Sequence, residues 1–186
     1  MKYIELESER LIFRKFRYSD VTDIRTWLGN PDNMQYRFNE PWSDDEIFAY
    51  LNYAIKCAES VNCISFRYAI VLKSQNIIIG SCELDYTDQD PSEIAWDIHR
   101  DYWCKGYGTE VGKTLLKFGF ETLKLRRIIA TCNTLNIGSW RIMEKIGMRR
   151  EGHFIKCCQG NSILNHKWCD KFQYAVLREE YLNHNL

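Results

Sequence analysis

The residues in this 186-residue chain best suited to chemistry lie together at Trp103-Cys104-Lys105-Gly106-Tyr107-Gly108-Thr109-Glu110. They follow an apolar stretch, Glu93-Ile94-Ala95-Trp96-Asp97-Ile98, that reads as a strand, and they open an amphipathic helix. A strand that breaks into a loop with two glycines and then starts a helix leaves several backbone N–H groups unpaired and aimed at one spot. Such a spot suits a phosphate. Gly106 and Gly108 let the backbone come close to an anion, and Lys105 adds positive charge beside it. By itself a glycine pair at such a turn is more often ordinary structure. The chain has neither the G-x-G-x-x-G of a dinucleotide fold nor the G-x-x-x-x-G-K-[ST] of a nucleotide triphosphatase.

Groups able to move protons lie close by. Glu83 and Asp85 fall on one predicted strand, and Glu93, Asp97 and His99 fall on or beside the next. By strand alternation Asp97 and His99 share one face, while Trp96 and Ile98 share the other. Each carboxylate has a plainer reading as a surface charge or salt-bridge partner, and the residues alone do not choose among them. Further on, Asn136 and Ser139 open another helix, where either could serve simply as its cap.

The elements that must position these groups can be read in order. Residues 10–16 form a strand, and Asp20 caps a helix over 21–28 that Gly29-Asn30-Pro31 ends. A loop over 32–42 carries Tyr36, Phe38, Pro41 and Trp42. Ser43-Asp44-Asp45-Glu46 is a capping box, and the helix it starts has Ile47, Leu51, Ala54, Ile55 and Ala58 on one face. Residues 66–72 and 77–86 pair as a hairpin across 73–76, and 87–92 turn the chain into the strand ending at Ile98. The helix after the glycines runs from Thr109 to about Leu123, with Val111, Leu115, Leu116 and Phe118 on its inner face. A strand over 126–131, the helix that Gly147 closes, and two strands over 149–158 and 167–177 complete the chain. The pattern predicts one α/β (α+β) domain over residues 1–186, with a mixed, mainly antiparallel sheet of about seven strands and about four helices.

Composition narrows the class. An apolar content of 45% and an aromatic content of 14% suffice for a sizeable core. No apolar run nears the ~20 residues of a membrane span, and the charged N-terminus does not read as a signal peptide, so a cytoplasmic protein is expected. The eight cysteines form no C-x-x-C pair, which predicts free thiols and no metal. Zero net charge conceals blocks of +1 over 1–39, −8 over 40–101 and +7 over 102–186. A basic second half suits a ligand with phosphates, and an acidic middle suits a cationic acceptor, unless those charges are merely a solvated surface. The basic residues form no clustered stripe, which disfavours a nucleic-acid partner.

Glu93-Ile94-Ala95-Trp96-Asp97-Ile98 with Trp103-Cys104-Lys105-Gly106-Tyr107-Gly108-Thr109-Glu110, then Asn136-x-x-Ser139 and Glu144-Lys145-Ile146-Gly147, resembles the acetyl-coenzyme A core of the GNAT acetyltransferase superfamily. The branch it looks most like is the ribosomal-protein alanine N-acetyltransferase group, the RimJ/RimL-like enzymes. The resemblance implies a sheet splayed at the fourth strand and acetyl-CoA as cosubstrate. It implies that Ile98, His99, Trp103, Cys104, Lys105, Gly106, Tyr107, Gly108, Thr109, Asn136 and Ser139 contact that cosubstrate. The Ile98 N–H would then face the acetyl oxygen, Glu93 would be the base, because the branch has Glu there, and Ser139 would supply the proton to the leaving thiolate. The acceptor implied is a primary amine: a protein N-terminus, a polyamine or another small amine. The sequence departs from the family at Cys104, where Gly is usual, at Trp103, where Arg or Gln is preferred, and at Met143, where many members keep a Tyr. Those departures leave room for a non-catalytic acyl-CoA-binding sensor. The last hairpin leaves room for a homodimer.

Overall fold

A computed structural model describes residues 2–86 and 91–184; the turn expected at 87–92 therefore falls largely outside the described residues. Among the described residues eight strands form one sheet in the order β1-β2-β3-β4-β5-β6-β8-β7. They are β1 (Leu6–Glu7), β2 (Leu11–Arg14), β3 (Ser65–Leu72), β4 (Ile77–Asp85), β5 (Ser92–Ile98), β6 (Arg127–Asn133), β7 (Arg149–Gln159) and β8 (Trp168–Leu177). Every neighbouring pair is antiparallel except β5 and β6. The eighth strand is the two-residue β1, too short to leave a periodic signal in sequence.

Among the described residues six α-helices flank the sheet: α1 (Val21–Leu28), α2 (Pro31–Met34), α3 (Asp44–Glu59), α4 (Tyr107–Lys117), α5 (Ile137–Lys145) and α6 (Arg178–His184). The single turn α2 lies inside the stretch expected to be loop. Pro31 at its first position and the Asn30 side chain accepting from the Asp32 N–H account for it. Asp20 does not cap α1 through its side chain; it accepts from the Arg17 N–H and pairs with Arg14 at 2.8 Å, nearly buried. The capping box of α3 forms as expected, with Ser43 and Glu46 satisfying each other's backbone N–H. Among the described residues no helix is long and apolar enough to cross a membrane.

Strand alternation sorts the side chains onto two faces. Tyr68, Leu84, Ile94, Ile98, Ile128 and Ala130 pack against Val111, Leu115 and Leu116 of α4. On the other face Ala69, Val71 and Ile78 meet Ile24 and Trp27 of α1 and Ile47, Leu51 and Ala54 of α3. Burial of about a dozen large apolar side chains at ~1.5–3 kcal/mol each makes this packing, and not helix propensity, what fixes the positions of α1, α3 and α4.

Candidate active site

The site is built where β5 leaves β6. The two strands pair in parallel only at Ser92–Ile128 and Glu93–Ile129, after which β5 runs on beside β4 alone. His99 donates to the Ile79 carbonyl at 2.8 Å, and β5 keeps the register Gly80–Ile98 with β4. Alternation along an antiparallel ladder therefore turns the Ile98 N–H to the edge facing the gap. The Ile98 carbonyl is taken by Trp103 Nε1 at 2.7 Å and by Asn33 Nδ2 at 3.3 Å. Asn33, 8% exposed, also accepts from the Arg100 N–H at 2.6 Å. The strand end is thus pinned from two sides. Gly80 permits this close ladder, since a Cβ there would stand 2.1 Å from the Asp97 carbonyl oxygen.

The glycine loop forms the mouth of the gap. Gly106 has φ +82° and is the N-cap of α4, which begins at Tyr107, two residues earlier than the sequence pattern places it. Among the described residues the N–H groups of Cys104, Lys105, Gly106, Tyr107, Gly108 and Thr109 meet no protein acceptor, while that of Glu110 bonds the Gly106 carbonyl at 3.2 Å. Six donors at the positive end of a helix dipole suit an anion such as a diphosphate. Cys104 holds φ +59° with its side chain exposed, so it reproduces the left-handed backbone that a glycine would take and does not fill the cradle. Lys105 Nζ lies 5.2 Å from the centre of the Tyr102 ring. Trp103 braces the loop by its bond to Ile98 and by stacking on Tyr36 at 6.4 Å. His99 points its Nδ1 at the Asp101 N–H, at 3.2 Å, and so organises the turn itself.

Residues from the far N-terminus hold the loop, and nothing local in the sequence pointed to them. Glu110, on the first turn of α4, accepts from Ser8 Oγ at 2.7 Å, the Arg10 N–H at 2.8 Å and Arg10 Nε at 2.7 Å. Arg10 Nη1 then donates to the Lys105 carbonyl at 3.0 Å, and its guanidinium lies 4.4 Å from the Tyr107 ring centre. Burial pushes the Glu110 carboxyl up, but these three donors and the Arg10 charge together outweigh it and hold the group below the usual carboxylate range.

Two cavities of about 240 Å³ each lie along β5, sharing the wall Ala95-Trp96-Asp97 and Arg37. One collects Glu93, Asn136, Ser139, Cys132 and Met143, so three of the sequence-predicted site residues meet there. Glu93 accepts from Thr131 Oγ1 at 3.1 Å and has no cationic partner among the described residues. Asn136 Oδ1 accepts from the Ser139 N–H at 3.0 Å and caps α5, and both residues line this cavity. Burial pushes the Cys132 thiol up to about 11 against the Ser139 hydroxyl and Arg150, so a protonated thiol stands beside Ser139. Met143 is 1% exposed and offers no proton.

The other cavity lies under α3 and holds Arg37, Tyr50, Tyr53, Arg67, Glu83 and Asp97. Arg37 Nη1 meets both Asp97 oxygens at 3.2 and 3.0 Å. Arg67, with a side chain 11% exposed, pairs with Glu83 and, at 3.0 Å, with Asp85. Among the described acidic residues of 40–101, only Glu83, Glu93 and Asp97 line the two cavities. Of the others, Glu46 caps α3, Asp44 pairs with Arg25, and Glu40 accepts from Ser162. The acidic block therefore does not converge on one pocket. Of the aromatic residues in the loop before α3, Tyr36 and Phe38 line the first cavity and Trp42 the second.

A splayed sheet whose gap is capped by a ring of free amides and flanked by an acid–base-capable cavity is the architecture of a group-transfer site for a phosphate-bearing donor. The model of the acetyltransferase (GNAT) domain matches residues 10–149, and the chain belongs to that family of acyltransferases. It is 31% identical over 180 residues, 96% of this chain and 99% of the other, to the uncharacterized N-acetyltransferase YnaD of Bacillus subtilis. Among solved structures, a GNAT-family acetyltransferase from Bacillus anthracis superposes with TM-score 0.80 at 33% identity, covering 95% of this chain and 99% of that one. The spermidine N-acetyltransferase of Vibrio cholerae, in complex with CoA and spermine, superposes at TM-score 0.79 with 23% identity over 95% of this chain and 100% of its own, a likeness of fold.

Proposed function

We propose that this protein is an N-acetyltransferase of the RimJ/RimL-like branch that moves an acetyl group from acetyl-CoA to a primary amine by direct attack in a ternary complex. The observation that carries the reading is the set of six amides at 104–109 without protein acceptors, at the mouth of the gap between β5 and β6. Those amides, with Lys105 beside them, would hold a diphosphate, and the open edge of β5 would take an extended arm as a further strand. Bound acetyl-CoA supplies the thioester, whose carbonyl is the electrophile.

The remaining tasks fall to the chain. The Ile98 N–H, facing the gap, would donate to the carbonyl oxygen as charge develops; loss of such a donor typically raises a barrier by ~3 kcal/mol. An alkyl amine has a pKa near ~10 and arrives as a cation, so it must lose a proton before attack. Among the described residues Glu93 meets a hydroxyl donor, Thr131, and no cation, and it shares a cavity with Ser139. Ser139 would protonate the departing thiolate, and the Asn136 amide nitrogen would hold the arm. With the loop at residues 36–42 folded over cavities this small, a small-molecule amine fits the space better than a protein N-terminus.

The deciding measurement is thioester consumption at saturating acetyl-CoA over a panel of amines, read at the thioester itself because exposed free cysteines such as Cys104 and Cys157 would react with thiol reagents. Turnover with an amine is expected. A melting temperature that rises with CoA while no amine is ever acetylated would replace this reading with the sensor.

A further inference from the structure

Building on the acetyl-transfer reading, we propose that the acceptor is a primary amine that also carries a carboxylate, an α-amino acid in the simplest case, and that Arg37 receives that carboxylate. Arg37 is the one cation lining both cavities among the described residues, at the wall they share. Its guanidinium has five donors in a planar fork, of which only Nη1 is engaged, by Asp97; Nε and Nη2 meet no protein acceptor among the described residues. A side chain 35% exposed with an open donor edge is placed to take a carboxylate in two parallel bonds.

Its backbone is held for the purpose. The Arg37 N–H bonds the Met34 carbonyl at 2.9 Å. From the β7–β8 turn, buried Asn161 donates to the carbonyls of Met34 at 3.1 Å and Asn39 at 3.0 Å, fixing the loop on both sides of Arg37. A guanidinium on a tethered loop loses less freedom on meeting its ligand than one on a free loop does.

The charge pattern decides against a polycation. A polyamine needs carboxylates that are not already neutralised, and here Asp97 is paired with Arg37 and Glu83 with Arg67. Glu93 alone of the three lining carboxylates lacks a cation, and it shares its cavity with Arg37. One free anion and one open cation in the same small space complement a zwitterion: the ammonium toward Glu93, where it must be deprotonated, and the carboxylate toward Arg37. Tyr50, Tyr53 and Trp42 in the adjoining cavity would surround the side chain.

The test compares four equimolar acceptor pools with the intact chain at saturating acetyl-CoA: the common L-α-amino acids, their carboxamides, polyamines, and short peptides blocked at the C-terminus. Thioester loss with the amino-acid pool is expected to exceed that with the carboxamide pool by ~10-fold or more, the scale of a charge-assisted hydrogen bond. In Arg37→Gln that ratio should fall to near one and polyamine turnover should rise, because Asp97 is released. Arg37→Lys should restore part of the ratio, and an unchanged CoA-induced shift in melting temperature would certify that both variants are folded. Carboxamides, polyamines or blocked peptides turned over as fast as the amino acids would overturn the acceptor assignment while leaving acetyl transfer standing. No turnover with any pool would overturn both.

Discussion

Replacing Arg10 by Met tests whether the N-terminal strand builds the diphosphate cradle, because the change keeps side-chain length and removes the guanidinium. Three contacts disappear: the bond from Nε to Glu110 at 2.7 Å, the bond from Nη1 to the Lys105 carbonyl at 3.0 Å, and the cation–π contact with Tyr107 at 4.4 Å. Arg10 is 41% exposed, so solvent screens the ion pair and it contributes ~0.5–1 kcal/mol. The other two contribute ~0.5–1 kcal/mol each. Glu110 keeps two donors, Ser8 Oγ and the residue-10 N–H, so it is not left as an uncompensated buried charge. The sum is ~1.5–2.5 kcal/mol after allowance for non-additivity. All three contacts act on the loop and the first turn of α4, so most of that sum should appear as disorder of the cradle. Calorimetric titration with CoA should give a Kd ~10–50-fold weaker, at ~1.4 kcal/mol per decade, with a fall in melting temperature of only a few degrees. A Kd within twofold of wild type alongside a large loss of stability would show that Arg10 supports the fold and not the cradle.

Glu93→Gln should lower kcat/KM by ~10²–10⁴ while leaving CoA affinity unaltered; a loss of less than threefold would strike Glu93 from the mechanism. Asn136→Ala should lower stability by ~1 kcal/mol through loss of the α5 cap, seen as a shifted denaturation midpoint, whereas Ser139→Ala should reduce turnover with the midpoint unchanged. Because Glu110 titrates lower in the folded chain than its unfolded value near ~4.3, it stabilises the fold above that value, and its contribution is lost as pH falls through the folded value. Denaturation followed between about pH 5 and pH 3 should therefore show a steeper loss for the wild type than for Glu110→Gln, and parallel curves would contradict the assignment. Cys104→Gly should raise stability by ~0.5–1 kcal/mol, since only the left-handed φ is at issue there; a drop would mean that the thiol makes a contact of its own.

What the sequence alone determined was local. Ser43 and Glu46 stand three residues apart, so their capping box depends on one turn of backbone and on nothing distant. The glycine loop, the α1 helix over Val21–Leu28 and the hairpin of β3 with β4 are legible for the same reason: each follows from conformational preferences and periodicity within a short window. Only the tertiary structure decided what acts on the site from afar. Arg10 and Glu110 are a hundred positions apart, and Asn33 reaches Ile98 across sixty-five. Arg37 and Asp97, sixty positions apart, face each other across a loop that Asn161 of the β7–β8 turn helps tie down. Such contacts are set by strand order and by which face of the sheet each helix covers, and no short window of sequence encodes either. The acidic block shows the same limit in reverse: composition gives its charge, but pairing with arginines on other elements decides how much of that charge a ligand would meet.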